Sequence, residues 1–403
     1  MKQNQLNDDV EQKIEQISIE GILHNVWAKG LSAAYYRLPK QNLKYLLIDL
    51  SAGHKVVDPE LETITPGFIF GPFDHSPNAE VWYINADIII KEEDGICQLV
   101  SRPDKSIYSE IDNLIYNYTG KSSEHTAPYF IYHTDNRVST THSEYTDIVQ
   151  AAVDQIEKGI FQKVVPAMQM HIDLSKAFKP LQLFDNLCIK YPNTFVSLVA
   201  TPETGTWIGA SPEILIAIDA NNKFSTTALA GTQPYREDVQ LTDVAWTQKD
   251  IEEQAMVSRY IINCFKKIRL REFDEIGPKT NKAGNLIHLK TNYMVDLNRV
   301  NFPHLGSVML KLLHPTSAVC GLPEAPATKF IQETESFDRA FFSGYLGPVN
   351  MNDETNVYVN LRCMNLLEDA AILYAGAGVT IDSNPEKEWL ETEIKLNTLL
   401  DLI

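Results

Sequence analysis

The segment YAGAGVTIDSNPEKEWLETEIK, residues 374–395, decides the fold. Its first residues predict the end of a strand, because glycines follow the apolar run 371–374. Its remaining residues predict a helix over about 386–400, with Pro385 close to the first turn, where proline is favoured. The segment therefore predicts a glycine-rich strand end that leads directly into an acidic helix.

Two pairs of acidic residues occur at helical spacing. Asp250 and Glu253 are three residues apart on a helix predicted over about 250–268, and Glu388 and Glu391 are three apart on the last helix. Residues at this spacing share one helical face. Two such faces opposed would form an oxygen cage suited to Mg²⁺, with waters or substrate oxygens completing the octahedron. Each pair alone is more typical of a solvated helix face, although apolar residues interleave the second pair.

Two glycine-containing segments follow apolar stretches. Gly376 lies in AGAGV, residues 375–379, while Gly231 and Thr232 lie in AGT, residues 230–232. Small residues let backbone N–H groups approach a carboxylate closely. Both segments are equally compatible with tight turns, so this pattern leaves anion binding and a structural turn open.

A lysine and a glutamate are candidates for acid–base chemistry. Lys163 lies within a strand predicted over 161–165, where a desolvated amine would be a usable general base. The alternative is an edge-strand lysine that faces water. Glu213 follows Ser211 and Pro212 at the start of another predicted strand, where burial would favour the protonated acid and make it a proton donor.

Composition and charge restrict the classes of function. The chain has 403 residues, of which 44% are hydrophobic and 22% charged, enough for one large core or two joined cores. The formal net charge is −18, which argues against nucleic acid and anionic membranes as partners. An anionic substrate would need a local pocket of lysine, arginine or metal charge.

The cysteines and the hydropathy pattern indicate the compartment. The five cysteines are scattered and form no C-x-x-C pair, which fits a reducing compartment and no structural zinc. No run of about 18 apolar residues occurs, and the polar start of the chain lacks the apolar core of a signal peptide. We therefore expect a soluble, cytoplasmic protein.

The chain is predicted to be one compact unit with two parts. Residues 1–125 predict short strands and turns, including strands at 45–50 and 81–90, and a polar stretch at 119–125 predicts a joining loop. Residues 143–400 hold every candidate residue named above. This part predicts an amphipathic helix over 145–156 and further strands at 194–200, 206–210, 215–218 and 357–364.

The order of these motifs along the chain resembles that of the chorismate-utilising enzymes. This family includes isochorismate synthase, salicylate synthase, anthranilate synthase component I and aminodeoxychorismate synthase component I. The resemblance covers about residues 143–400 and implies an α+β fold, with two large antiparallel β-sheets packed together and helices outside. The motifs that carry it are FQKVV (161–165), GASPE (209–213), ALAGT (228–232), HPTSAVCG (314–321), ESFDR (335–339) and the segment 374–395.

The resemblance implies a role for each candidate residue. Lys163 resembles the lysine that activates water for attack at C2 of chorismate, and Glu213 resembles the acid that protonates the departing C4 hydroxyl. The remaining positions resemble contacts to substrate carboxylates, with Gly231, Thr232 and Gly376 acting through backbone and hydroxyl groups and Arg362 and Lys395 acting through charge.

The resemblance also implies Mg²⁺ as the cofactor. Glu253 and Glu391 resemble its direct ligands, while Asp250 and Glu388 would act mostly through bound waters. The charges agree, because chorismate carries two carboxylates that an acidic protein can hold only with local positive charge.

Residues 314–321 predict the product. Pyruvate-eliminating relatives tend to have Thr where this chain has Ala318, and isochorismate synthases tend to have Ala followed by an aliphatic residue, here Val319. Lys163 argues against amination, which needs ammonia rather than activated water. The resemblance therefore favours isochorismate formation for menaquinone or siderophore supply. Salicylate synthase and an inactive chorismate-binding subunit are the alternatives. A monomer and a weak homodimer are both open.

Overall fold

The computed structural model describes residues 18–51, 53–56, 58–73, 80–101, 114, 129–131, 138–236, 239–283 and 286–403. Within these ranges the chain forms seven α-helices and twenty β-strands. None of these helices is both long enough and apolar enough to cross a membrane. The loop predicted at 119–125 lies outside the described residues.

Four of the seven helices in the described ranges begin at a residue whose side chain accepts from a free backbone N–H group. Thr141 and Thr247 each form a capping box with an acidic residue three positions later, and Asn384 caps the last helix. The three helices predicted from the sequence are confirmed close to their expected bounds. The helices are α1 (Ile19–Ala28), α2 (His142–Glu157), α3 (Pro180–Lys190), α4 (Gln248–Lys267), α5 (Leu305–Leu313), α6 (Glu324–Thr334) and α7 (Pro385–Leu400).

The strands form two nine-stranded antiparallel sheets and one two-stranded sheet. In chain order they are β1 (Ser32–Arg37), β2 (Lys44–Asp49), β3 (His54–Val56), β4 (Gly67–Gly71), β5 (Val81–Asn85), β6 (Ile88–Glu93), β7 (Ile96–Ser101), β8 (Lys163–Val164), β9 (Ala167–Asp173), β10 (Phe195–Thr201), β11 (Gly205–Ser211), β12 (Ile214–Ile218), β13 (Lys223–Pro234), β14 (Asp274–Ala283), β15 (Leu286–Asp296), β16 (Gly321–Leu322), β17 (Tyr345–Val349), β18 (Thr355–Val359), β19 (Cys363–Leu366) and β20 (Ala370–Gly376).

Both large sheets combine strands from the two ends of the chain. Sheet one has the order β7-β6-β2-β1-β10-β11-β19-β20-β9, and sheet two has the order β14-β15-β13-β12-β18-β17-β4-β5-β3. The strands before residue 102 therefore form one edge of each sheet. The small sheet pairs β8 with β16.

An aromatic layer fills the space between the two sheets. Phe195 of sheet one stacks on Tyr358 of sheet two, with ring centroids 4.2 Å apart. Phe70 and Phe341 stack at 4.0 Å in the same layer. Such pairs add about 0.5–1.5 kcal/mol each beyond the burial of their area.

Helices cover the outer faces of both sheets. Residues of α1, α2, α3 and α7 pack on sheet one, and residues of α4 and α5 pack on sheet two. Central strands are consequently buried on both faces, and every residue of β1, β10 and β11 is buried. The α+β architecture with helices outside two packed sheets is the one that the resemblance to the chorismate-utilising enzymes implied.

Two strands predicted as continuous are each divided in the structure. The run 81–90 divides into β5 and β6, and the run 357–364 divides into β18 and β19. In both cases the two parts belong to different sheets, so the chain crosses from one sheet to the other at the break. Arg362 lies in the second break with φ +50°, a left-handed conformation that interrupts a strand.

Candidate active site

A pocket lies where both sheets meet helices α4 and α7. It is lined by ten of the residues predicted from the sequence, and three others, Lys163, Asp250 and Glu388, are not among its lining residues. The ten are Glu213, Gly231, Thr232, Glu253, Ala318, Val319, Arg362, Gly376, Glu391 and Lys395. Residues far apart along the chain, from Glu213 to Lys395, therefore line one pocket.

Lys163 is buried beside this pocket without lining it. It is hydrogen-bonded to Glu253, which does line the pocket. Lys163 is fully buried, and its Nζ donates to Glu253 Oε1 at 2.7 Å. A Cβ atom at Gly378 would lie 2.5 Å from Glu253 Oε1 and 3.0 Å from Lys163 Cε, so glycine is required for this close approach. The alternative of an edge-strand lysine facing water is therefore wrong. The strand around it is shorter than predicted, with only Lys163 and Val164 in β8.

Glu213 is a buried carboxyl at the turn between β11 and β12. It is 5% exposed, and it lies near the positive charges of Lys163 and Arg362. Burial raises its pKa to about 7, although the neighbouring positive charges act in the opposite direction. At neutral pH the group is therefore divided between the acid and the carboxylate, which suits a proton donor.

Arg362 supplies a cation to the pocket from the break between β18 and β19. Its carbonyl oxygen accepts a hydrogen bond from Ala210 N at 3.0 Å, which fixes the break against sheet one. Burial lowers the pKa of Arg362 to about 10, so the guanidinium is still charged at neutral pH. Its Nη1 is shielded from solvent and has no hydrogen-bond partner within the described residues. This N–H group is a donor available to an anionic ligand.

A bulge in β13 brings Gly231 and Thr232 to the pocket. The pairing of β13 with β15 shifts register between Ala230 and Gln233, and Gly231 has φ +68°. A Cβ atom at Gly231 would lie 3.1 Å from Asp250 Cβ. The bulge is therefore a glycine turn inside a strand, and carboxylate binding by this segment stays a prediction.

His288 of β15 lines the pocket and was not predicted. Its Nδ1 lies 2.9 Å from the carbonyl oxygen of Gly231, which can only accept, so Nδ1 carries the proton. Burial and the charge of Arg362 lower the pKa of His288 to about 3. The imidazole is thus neutral, and its buried Nε2 has no partner within the described residues.

Three lysines neutralise three of the four predicted metal-binding carboxylates. Although burial alone would raise the pKa of Glu253, the charge and hydrogen bond of Lys163 hold it below its usual value. Lys395 also donates to the carbonyl oxygen of Gly376 at 2.7 Å. The three ion pairs are Lys163–Glu253 (2.7 Å), Lys395–Glu391 (2.7 Å) and Lys249–Glu388.

Asp250 contributes to helix capping. Its Oδ2 accepts from Thr247 N at 3.1 Å and from Thr247 Oγ1 at 2.7 Å at the start of α4. Gln233 Nε2 lies 3.4 Å from the same oxygen. Asp250 therefore joins the start of α4 to the β13 bulge.

The carboxylates have the chemistry of a site for a hard cation. Glu253 and Glu391 face the same pocket, and Glu388 Oε2 is buried without a hydrogen-bond partner in the described part of the chain. Oxygen ligands of this kind suit Mg²⁺. However, no three acidic, histidine or cysteine groups among the described residues converge closely enough to hold a metal.

A buried ion pair supports the pocket from below. Arg339 pairs with Glu335, and both side chains are 2% exposed. Arg339 also donates to the carbonyl oxygens of Val165 at 2.7 Å and Val319 at 2.9 Å, while Glu335 accepts from Ala167 N at 2.8 Å. The pair thus joins three segments that line the pocket.

Sequence reasoning missed the functional importance of four residues. Lys249 could have been found, because it lies one helical turn before Glu253. Arg339 is the last residue of the motif 335–339, and Gly378 lies in the glycine-rich strand end. The sequence does not indicate which residues either of them contacts. His288 carries no local signal.

Known proteins are similar in sequence to much of this chain. The chorismate binding enzyme family matches residues 74–403. Isochorismate synthase EntC of Escherichia coli is 30% identical over 256 residues, which are 62% of this chain and 63% of that protein. Isochorismate synthase DhbC of Bacillus subtilis is 29% identical over 269 residues, 64% of this chain and 67% of that protein. The alignment thus spans less than two thirds of the length of EntC.

Solved structures share the fold over almost the whole chain. The isochorismate synthase DhbC of Bacillus anthracis superposes with a TM-score of 0.71 at 23% identity, covering 96% of this chain and 99% of that one. The menaquinone-specific isochorismate synthase MenF of Escherichia coli gives a TM-score of 0.73 at 21% identity, covering 94% and 90%. These likenesses confirm the fold class expected from the sequence. Together with the family match over residues 74–403, they show that the chain belongs to the chorismate binding enzyme family.

Proposed function

We propose that this protein is a Mg²⁺-dependent isochorismate synthase. The observation that carries the proposal is the position of Glu213, a buried acid with a pKa of about 7 on the same pocket as Glu253, Arg362 and Lys395. A ligand in this pocket lies beside a proton donor and beside two cations that can pair with its carboxylates. Glu253, which also lines the pocket, holds the Lys163 amine next to it. The curated relatives named above as isochorismate synthases support this choice.

The acid and the base divide the reaction between them. Lys163 must first release to solvent the proton that it holds in the ion pair with Glu253. As the neutral amine it then takes a proton from water as the water oxygen bonds to C2 of chorismate. The ring double bonds shift, the C4–oxygen bond breaks, and Glu213 gives its proton to the departing hydroxyl. One water is consumed and one released, so the product is an isomer of the substrate. The ion pair with Glu253 orients the Lys163 amine towards the pocket.

Cations and backbone groups hold the two substrate carboxylates. Arg362 offers its unpartnered Nη1, and Lys395 lies on the same pocket. The bulge at Gly231 and Thr232 offers backbone N–H and hydroxyl groups, and Gly376 lets the backbone approach closely. Glu253 and Glu391, with Glu388 and Asp250 behind them, would hold Mg²⁺. When bound, Mg²⁺ supplies positive charge against a substrate carboxylate.

Product analysis tests the proposed function. The purified protein is incubated with chorismate and Mg²⁺, and the products are separated by chromatography and identified by NMR. Isochorismate as the main product supports the proposal. Salicylate with an equal amount of pyruvate would instead identify a salicylate synthase, and unchanged chorismate would identify an inactive binding subunit.

Removal of the metal is expected to abolish turnover. Without a divalent cation, a dicarboxylate substrate meets the glutamates of the pocket with too little positive charge to hold it. EDTA should stop isochorismate formation and added Mg²⁺ should restore it, whereas EDTA already loaded with Ca²⁺ is the control for effects of the chelator itself. Full activity in a sample shown by elemental analysis to lack divalent metal would contradict the proposal.

Substitution at Ala318 is expected to change the product. Ala318 is half-buried and lines the pocket, and its methyl group makes no hydrogen bond. Ala318→Thr adds a hydroxyl that can contact ring substituents, so we expect less isochorismate and a larger fraction of turnovers that yield pyruvate. A lactate dehydrogenase assay measures the pyruvate. Ala318→Val is the matched control, because valine has the shape of threonine without its hydroxyl. Equal pyruvate from both variants would exclude a role for the hydroxyl.

The pathway served is proposed to be menaquinone or siderophore biosynthesis. A chromosomal deletion distinguishes them, because it would remove menaquinone from the membrane in the first case and iron-chelating catecholates from the medium in the second. Loss of neither would overturn both assignments.

A further inference from the structure

The four predicted metal-binding residues, Asp250, Glu253, Glu388 and Glu391, form an acidic cluster. Lys249 pairs with the most deeply buried carboxylate of this cluster, that of Glu388. It lies in the first turn of α4, and its Nζ donates to Glu388 Oε1 on α7. The Lys249 side chain is 26% exposed and that of Glu388 is 2% exposed. The pair therefore joins the starts of the two helices that carry all four predicted metal-binding residues.

Glu388 depends on a nearby cation. Its second oxygen, Oε2, is buried and has no partner among the described residues. A buried carboxylate without a counterion is costly, so some positive charge must remain beside Glu388.

Lys249 differs from the other two lysines of the cluster. Under the proposed function, Lys163 acts on the water and Lys395 on a substrate carboxylate. Lys249 does not line the pocket. Its neighbours include Glu388, Glu391 and Glu253, three of the groups that would hold the metal. Its ammonium therefore neutralises the carboxylates that the metal would neutralise.

We propose that Lys249 is the resident counterion of the metal site, which holds Glu388 while no divalent cation is bound and competes with that cation for it. This inference rests on the proposed function for the presence of a metal. It explains how the acidic cluster stays stable before metal binds, because one internal charge replaces part of the missing positive charge. It also means that a metal whose bound waters donate to Glu388 must compete with Lys249 for that carboxylate, which weakens metal binding.

Direct metal binding tests the inference without any turnover. Mn²⁺ replaces Mg²⁺ as the probe, and free Mn²⁺ is measured by electron paramagnetic resonance with the full chain and no chorismate. Lys249→Met should bind Mn²⁺ about tenfold more tightly, an effect of the size that residues next to metal ligands produce. The metal-free variant should also melt at a lower temperature than the wild-type protein and gain more from saturating Mn²⁺.

Two controls separate the pair from a general effect of charge. Lys267→Met removes an exposed lysine from the last turn of the same helix and should leave the Mn²⁺ affinity unchanged. Lys249→Arg keeps the charge and should keep the wild-type affinity. In a Glu388→Gln background, Lys249→Met should lose its effect, because the carboxylate over which the two cations compete is gone.

Weaker or unchanged Mn²⁺ binding by Lys249→Met would overturn the inference. Weaker binding would mean that Lys249 supports the metal-bound arrangement instead of competing with it. A wild-type protein that binds no Mn²⁺ would overturn it too, whatever its products. By contrast, if the Mn²⁺ results are as expected and chorismate is not converted to isochorismate, the proposed function fails and the role of Lys249 stands.

Discussion

Replacing Glu213 by Gln is expected to lower kcat by roughly 10²–10⁴-fold, the usual share of general acid catalysis. Glutamine has nearly the same shape but has no acidic proton to give to the departing hydroxyl. The rate of isochorismate formation from chorismate measures the effect. Glu92→Gln is the matched control, because Glu92 is a buried glutamate of sheet one, bonded to Tyr35 and Lys44 away from the pocket. Near-wild-type turnover by Glu213→Gln would show that another group supplies the proton.

The pH dependence gives a second signature of Glu213. The donor must be protonated, and its pKa of about 7 means that the competent fraction falls as pH rises through that value. The wild-type rate should therefore decline about tenfold per pH unit well above pH 7, and Glu213→Gln should lack this decline. An unchanged decline in the variant would assign it to a different residue.

Measuring the stability of Glu213→Gln distinguishes the loss of an acidic proton from misfolding of the variant. Its pKa in the folded protein, about 7, lies above the ordinary value of 4.5, so the folded state binds the proton more tightly than the unfolded state. Stability is consequently lost as pH rises from 4.5 towards 7, by roughly 3 kcal/mol in total. Glu213→Gln should remove this loss and melt at a higher temperature than the wild-type protein at pH 8. A variant that is both less active and more stable cannot owe its lost activity to misfolding.

The sequence predicts which segments build this molecule better than it predicts where they cross between sheets. The runs 81–90 and 357–364 look continuous because a strand buried on both faces is apolar throughout and loses its alternating pattern. Their breaks depend on tertiary contacts, such as the hydrogen bond from Leu50 N to Asp87 Oδ2. The helices were predicted more closely, because apolar and acidic residues at helical spacing, and Pro385 near the first turn of the last helix, are local signals.

In the candidate site too, local sequence patterns predict candidate residues but not the distant residues that they contact. Residue types and spacing identified the carboxylates, but not which cation each would meet. Lys163 could be a surface lysine or a buried one until Glu253, far away along the chain, was seen beside it. His288 was missed because its role depends on the bulge at Gly231, and a histidine in an apolar strand carries no pattern of its own.

Loss of Arg339 is expected to lower the free energy of unfolding by about 3–5 kcal/mol, the usual cost of removing one partner of a buried ion pair. Arg339→Met leaves Glu335 buried without a counterion and leaves the carbonyl oxygens of Val165 and Val319 without their donor. Urea unfolding followed by circular dichroism measures the change. Lys329→Met is the matched control, because Lys329 and Glu333 form an exposed pair with the same spacing on α6, whose loss should change stability by at most about 1 kcal/mol.

The second partner distinguishes a lost charge from lost packing. In Arg339→Met with Glu335→Leu, no charge is left buried, so the double variant should be more stable than Arg339→Met alone. Arg339→Lys should recover only part of the stability, because an ammonium cannot hold Glu335 and two carbonyl oxygens in the planar arrangement of a guanidinium. A double variant no more stable than Arg339→Met would mean that the hydrogen bonds to the pocket segments, and not the unpaired Glu335, set the cost. In that case turnover should fall together with stability in all three variants, since these segments adjoin Lys163 and Ala318.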